Sequence, residues 1–388
     1  MKKKSRKLAG HKKHRRYNRT VKGRYSDLII PSETPLNVHK ISDRIAKKLL
    51  KGSYSPTINK ELVTLKSSAR EEITGCNLEK AFKDEEPLEI YIDYNNDGDG
   101  VCIPYNHEDA KEVLLKNLKA NKHVDPSKII TPLQIESNCW FNTLFVTFFV
   151  SDKGRKFFHF LRQLMIMGTQ KDKKEIPLEL RNVFALLNFA VEQCLTGSDL
   201  AYSLDTNMII KTIYKNIPDT YKEQYKGIID IDEAGNPLYY YIGIINYLNN
   251  NSLQLLIAES ANSSWRETVG NTAKKMAHLP HIVVLEIVKP DAGSFKKPVT
   301  FKINDAKYEL DSACIIDTTQ EHFCATITCE GKEMAYDGAS FHRLVPLNWK
   351  NKINKDFSWQ FEGESYDDNP MKWNFTKCYQ LLMYYRIE

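Results

Sequence analysis

Cys139 stands at the junction of two unlike stretches. In LQIESNCWFNTLF (133–145) a short polar run gives way to apolar residues, and Phe141, Leu144, Phe145, Phe148 and Phe149 then recur at helical spacing. That one-sided stripe belongs to a helix packed into a core, and it predicts a helix opening at or just after Cys139. Unpaired backbone N–H groups and the positive end of the helix dipole would then favour a thiolate, the reactive form of sulfur. Gln134, five residues upstream, can curl its amide back beside the sulfur and donate to a developing oxyanion. The competing reading is a small core residue, because free cysteine is among the most commonly buried side chains.

A thiol nucleophile needs an imidazole as base, and the imidazole needs a carboxylate or amide to fix its tautomer. EHFCATITCEGKEMAYDG (321–338) offers both. HFCATITC alternates as a strand, EGK is a turn, and EMAYD returns as a second strand. His322 then opens one strand and Asp337 closes the next, so both fall at the same end of the ladder. Each also has a plainer reading, His322 as a polar residue at a strand start and Asp337 as a turn residue before Gly338. Asp311, Asp317, Asn348 and Asp356 are the other candidates for orienting His322. His159, inside FFHF, reads as a core or surface residue, and His278 and His281 flank a strand.

The rest of the chain must position these groups, and its composition limits how. The 388 residues, 42% hydrophobic and 11% aromatic, have ordinary globular proportions with enough apolar content for a large core. Eight cysteines (76, 102, 139, 194, 314, 324, 329, 378) form no CxxC pair, and no apolar leader opens the chain. A reducing, intracellular setting and a fold without cross-links are expected. The longest apolar run, LFVTFFV at 144–150, is far short of the roughly 20 residues of a membrane span, so no membrane partner is expected.

The net charge of +6 conceals an asymmetry. Residues 1–25 carry twelve Lys or Arg and no acid, which leaves 43 basic against 49 acidic residues, a net −6, for the remainder. Such a tail cannot bury enough surface to order itself. It is read as a disordered segment that either tethers nucleic acid or carries a nuclear address, or simply attracts polyanions. Residues 26–125 form an accessory region. SDRIAKKLLKG (42–52) has helical spacing, PLEIYIDYNNDGDGVCIPY (87–105) reads as two short strands, and HEDAKEVLLKNLKAN (107–121) as a helix. Asp93, Asn95, Asp97 and Gly98 match the opening of a calcium loop, but Pro104 occupies the place of its closing glutamate. A hairpin turn is the expected reading.

Four stretches, in order, resemble the sequence boxes of the ubiquitin-specific proteases. SNCWFNTLF resembles the cysteine box, with Cys139, Asn142 and Thr143 in its places. AHLPHIVVLEI (277–287) is similar to the strand after a Leu-Pro dipeptide. KYELDSACIIDTTQEHFCATITCEGKEMAYDG (307–338) resembles the histidine box, and KCYQLLMYYR (377–386) the terminal strand. The resemblance covers about 131–388. It implies an α+β, papain-like catalytic domain over 126–388, with a helical lobe (139–168, 177–195 and segments to about 250) carrying the cysteine and an antiparallel β palm (280–388) carrying His and Asp. Carried over by position, Cys139 is the nucleophile, His322 the base and then acid, Asp337 the orienting carboxylate, and Gln134 the oxyanion donor where the family has Asn. The implied activity is a thioester-forming deubiquitinase that cuts after the Gly-Gly tail of ubiquitin or a ubiquitin-like protein.

Departures from the family pattern are specific. Glu321 and Phe323 stand where Gly and Tyr are usual, and Glu321 either meets the substrate tail or points into solvent. Val288-Lys289-Pro290 replaces Lys-Arg-Phe, and the paired CxxC motifs that hold zinc are missing, so no cofactor or metal is expected. A Lys-, Asn- and Tyr-rich chain with a basic tail resembles the divergent peptidases of large DNA viruses, which adds a virion or virus factory to the cytoplasm and nucleus as expected locations. A precursor-processing protease, a weakly active ubiquitin binder and a nucleic-acid-tethered structural protein are the alternative readings.

Overall fold

The computed structural model describes residues 73–94, 98–169, 174–248, 255–259, 264–276, 279–319, 321–362 and 371–387. The basic segment 1–25, the helix expected at 42–52, the middle of the 93–98 turn and His278 lie outside the described residues. The described chain is a mixed α+β arrangement in which helices come first and one large sheet follows.

The accessory region forms α1 (Leu78–Phe82), a hairpin of β1 (Glu89–Ile92) and β2 (Val101–Pro104), and α2 (Glu108–Ala120). The hairpin pairs from Glu89–Pro104 to Ile92–Val101, so Pro104 ends a ladder. Gly98, at φ +90°, donates its N–H to Asp93 Oδ2 at 2.8 Å, which is turn chemistry. Against the expectation of a chain without cross-links, Cys76 and Cys102 form a disulfide. Spacing could not reveal it, because the two cysteines are 26 positions apart. The fold brings them together: Cys76 N–H donates to Glu89 O on one side of β1, while Cys102 pairs with Tyr91 on the other.

The helical layer comprises α3 (Cys139–Phe149), α4 (Asp152–Phe157), α5 (His159–Met167), α6 (Leu178–Thr196), α7 (Thr206–Asn216), α8 (Asp219–Gln224) and α9 (Pro237–Tyr247). Side chains mark the ends. Ser151, Asp205 and Asn236 accept N–H bonds at the starts of α4, α7 and α9, while Gly168 and Gly197 take left-handed conformations after α5 and α6. Every residue of α3 is buried. The stripe that predicted an amphipathic helix therefore belongs to a central one, wrapped by other helices and by the sheet. Phe148 stacks on Phe158 at 4.2 Å, and the Tyr241 ring meets Phe148 edge-on at 4.7 Å. The accessory region does not pack apart from this layer: Ile90, Leu114 and Leu118 share a core with Ile166 of α5 and Phe189 of α6.

Beyond β3 (Leu255–Glu259) and α10 (Trp265–Lys275) come β4 (Ile282–Ile287), β5 (Thr300–Ile303), β6 (Ala306–Ile316), β7 (Phe323–Cys329), β8 (Lys332–Tyr336), β9 (Leu344–Pro346) and β10 (Gln380–Arg386). The sheet order is β3-β4-β10-β6-β7-β8-β9, with β5 also paired to β6. All pairings are antiparallel except β3 with β4. Period-two alternation divides the strands between two cores. Cys314, Ile316, Ala325, Ile327, Leu381 and Met383 face the helices. Ala313, Ile315, Cys324, Leu382 and Tyr384 face Trp349, Trp373 and Phe375. A bulge between β6 and β10 skips Asp311, and such bulges re-aim a side chain. The buried Asp311 carboxylate accepts the N–H groups of Lys153 and Gly154 at the start of α4, and burial pushes its pKa up.

Candidate active site

Cys139 is the first residue of α3, where the backbone N–H groups of the opening turn lack helical acceptors. The segment leading into it is held by buried amides. Asn138 precedes the helix without capping it, because its side chain is used elsewhere: Oδ1 accepts from Ile135 N at 3.2 Å and from Asn142 Nδ2 at 3.1 Å, and Nδ2 donates to Thr206 Oγ1 at 3.0 Å. Thr206 in turn donates to Asn142 Oδ1 at 2.7 Å, and Asn142 Nδ2 reaches Leu133 O at 3.1 Å. Such a closed polar network fixes the loop beside the sulfur more firmly than packing alone.

His322 and Asp337 occupy the same end of the β7–β8 hairpin, which runs in register from Ala325–Tyr336 to Cys329–Lys332. His322 Nε2 donates to Asp337 Oδ1 at 2.7 Å, and both residues are buried. The Cys139 side chain lies near enough to the ring to favour its charged form. With Nε2 committed to Asp337, Nδ1 is the ring nitrogen left for the sulfur. Burial pulls the His322 pKa down, but the hydrogen bond and charge of Asp337, followed by those of Cys139, outweigh it and raise the value to about 10. Asp337 Oδ1 also accepts Ala339 N at 3.0 Å, while Oδ2 has no partner.

The other orienting candidates are engaged elsewhere. Asp317 Oδ1 accepts the main-chain N–H of Glu321 (2.9 Å) and His322 (3.0 Å), which closes the short β6–β7 connection. Asp311 serves α4, Asp356 pairs with Lys377 at 2.8 Å, and Asn348 is exposed. Glu321 is exposed as well. The remaining free cysteines are buried, and burial pushes their thiols up, Cys314 to about 12. Such thiols are inert.

Gln134 lies in the segment before Cys139, but its Nε2 donates to Glu136 O at 3.3 Å. Its Oε1 is buried and accepts nothing. Glu136 holds a left-handed backbone, φ +57°, with a side chain ill suited to it. One amide hydrogen is thus spent inside the loop, and one remains. Among the described residues no three His, Cys, Asp or Glu side chains are grouped to hold a metal, and no helix is long and apolar enough to cross a membrane.

Sequence reasoning missed the supporting residues Asn138, Thr206 and Arg343, and read Tyr336 and Gly338 only as a strand end and a turn. Asn142 was visible as part of a resemblance. Nothing local to Thr206 or Arg343 signals a partner more than sixty positions away.

No protein-family model matches the chain, and no curated protein matches it. Solved structures do. The chain is similar to the SAGA DUB module with Ubp8 bound to monoubiquitin, at 10% identity over 90% of this chain and 96% of that one, with a TM-score of 0.43. It is similar to the same module bound to ubiquitin aldehyde, at 10% identity over 91% and 96%, TM-score 0.43. An essential yeast splicing factor is a further similar structure, at 10% identity over 80% and 87%, TM-score 0.36.

Proposed function

We propose that the chain is a thiol-dependent isopeptidase of the ubiquitin-specific protease type, with a papain-like division of labour between a helical lobe and a β palm. The observation that carries the reading is the His322 ring hydrogen-bonded to Asp337 at 2.7 Å, with the Cys139 side chain, far away in sequence, near enough to favour the charged ring. The order of the four sequence boxes supports ubiquitin as the acyl donor.

The chemistry then runs in two halves. The Cys139 sulfur attacks the carbonyl carbon of the terminal glycine, a C–S bond forms, and the oxyanion is held by the Cys139 N–H and the free Gln134 N–H. As the C–N bond breaks, the His322 imidazolium gives its Nδ1 proton to the leaving lysine amine. Neutral His322 next takes a proton from water, whose oxygen attacks the thioester. The C–S bond breaks, the thiolate–imidazolium pair is restored, and the acid released gives its remaining proton to solvent to become the free carboxylate. Asp337 holds the ring throughout.

Ubiquitin carrying a C-terminal electrophile should label the wild type at Cys139, located by peptide mass spectrometry, and leave Cys139→Ala unlabelled. Labelling of Cys139→Ala puts the nucleophile elsewhere. Failure of ubiquitin probes, together with cleavage of another glycine-containing precursor, indicates a processing protease instead. One observation favours a second reading: the Gln134 amide turned to Glu136 O suits a ubiquitin binder with slow turnover. Such a protein would bind ubiquitin tightly and react with the probe far more slowly than it binds.

The basic segment 1–25 is assigned a separate role as a polyanion tether. Its deletion should abolish binding to DNA at moderate salt and leave peptidase turnover unchanged. The full chain's affinity should fall steeply with salt, as counterion release requires.

A further inference from the structure

The stretch that carries Asp337 is docked on the stretch that leads to Cys139, and one side chain spans the junction. Residues 337–343 form a loop closed at its base by Asp337 N donating to Arg343 O at 2.9 Å. Ser340 Oγ bonds Asp337 O at 2.9 Å within it. The loop lies against residues 131–134. Tyr336 OH donates to Pro132 O at 2.8 Å, and Gln134 N donates to Gly338 O at 3.0 Å. The approach is close enough that a Cβ on Gly338 would sit 2.8 Å from Gln134 N. Glycine is therefore required by contact.

Arg343 closes this seam. Its Nη1 donates to Thr131 O at 2.7 Å and, at 3.5 Å, to Ala201 O, while Nη2 donates to Tyr202 O at 2.8 Å. Thr131 belongs to the segment entering the cysteine loop. Ala201 and Tyr202 end a short 3₁₀ turn (Asp199–Tyr202), whose last carbonyls lack internal donors. A guanidinium is planar and permanently charged, with its N–H groups in a fixed fork. Bonds to two separate segments therefore fix the angle of the loop as well as its distance. An ammonium on a flexible stem cannot impose that angle.

We infer that Arg343 is a positioning residue: it sets the Asp337 loop against residues 131–134 and so holds the His322 ring in line with the Cys139 sulfur. The inference rests on the Cys139–His322–Asp337 reading above. Arg343 touches neither the sulfur nor the imidazole and acts through Asp337 and the 131–134 segment. Small displacements between reacting groups are costly, a shift of about 1 Å being worth on the order of 100-fold in rate.

The test uses a small electrophile, so that it does not depend on ubiquitin. Iodoacetamide alkylation of Cys139 is followed by peptide mass spectrometry across a pH series in the full chain, in His322→Ala, and in Arg343→Ala and Arg343→Lys. Both Arg343 variants should react roughly tenfold or more slowly at neutral pH, with a displaced pH profile, while still unfolding cooperatively on heating. A role confined to stability would lower the melting temperature and leave the rate and profile of the folded protein at wild-type values. That result, with His322→Ala slowed, overturns the inference. If His322→Ala itself reacts like the wild type, the catalytic reading fails instead. Should Arg343→Ala not fold cooperatively, Arg343→Lys is judged by the same rate and profile.

Discussion

Asparagine in place of Asp337 should lower turnover by about 10² to 10⁴-fold and leave the Michaelis constant for a ubiquitin conjugate nearly unchanged. The shape of the site survives the exchange, because Ala339 N holds Oδ1 in place and an amide oxygen can accept the same bond. Only the negative charge is lost. His322 is buried, and burial disfavours its charged form; Asp337 is the main influence that overcomes this and lifts the pKa to about 10. Without the carboxylate, burial is the largest influence left and favours the neutral ring, which depletes the acid that the proposed reaction needs for the leaving amine. Steady-state kinetics on a fluorogenic ubiquitin isopeptide, fitted for kcat and KM separately, checks this.

The same shift makes a statement about stability. A histidine whose folded pKa lies above its unfolded value of about 6.5 contributes stability that is complete below that pH and lost as pH rises towards 10. In Asp337→Asn this loss on the alkaline side should disappear from a plot of unfolding free energy against pH. An equal alkaline slope in both proteins would show that His322 is not charged through its contact with Asp337.

The second large effect is expected at the opposite end of the same hairpin. Glu330 and Gly331 turn the chain between β7 and β8 with left-handed backbones, φ +46° and +74°. The Glu330 side chain is folded inward. It accepts Arg155 Nη2 at 2.7 Å, Val124 N at 3.1 Å and His123 Nδ1 at 3.2 Å, while Asp152 accepts the N–H groups of Glu330 (2.7 Å) and Gly331 (3.0 Å). Burial would raise the Glu330 pKa, but His123 and Arg155 hold it below the usual carboxylate range. Its stabilisation is present above the unfolded pKa and is lost as acid protonates it. Glu330→Ala leaves Arg155 buried without this partner, which should cost about 3–5 kcal/mol of unfolding free energy in a urea titration. Activity per folded molecule should be retained, since the lost contacts lie across the hairpin from His322. An exposed pair would give less than about 1 kcal/mol.

These two sites show what could be read from residues alone. The hairpin was legible because alternation, the Glu-Gly-Lys turn and the returning strand are local signals, and its register follows from them. The helix after Cys139 was legible for the same reason, although its full burial was not: a sequence gives the period of a stripe, not how many neighbours surround it. The pairing of Cys76 with Cys102, the Asn138–Asn142–Thr206 network and the Arg343 contacts all join distant segments through single polar atoms. No periodicity encodes such bonds. Gln134 illustrates the limit in another way, since its position was identified but the direction of its amide depends on the left-handed turn at Glu136.

The strand order carries a further implication for biosynthesis. β10 lies between β4 and β6, so the middle of the sheet is completed only by a strand made long after both. Until 380–386 leave the ribosome, two long apolar strands present raw edges that invite mispairing with other nascent chains. Termination between β6 and β10 is therefore expected to leave a sticky fragment with two unpaired strand edges.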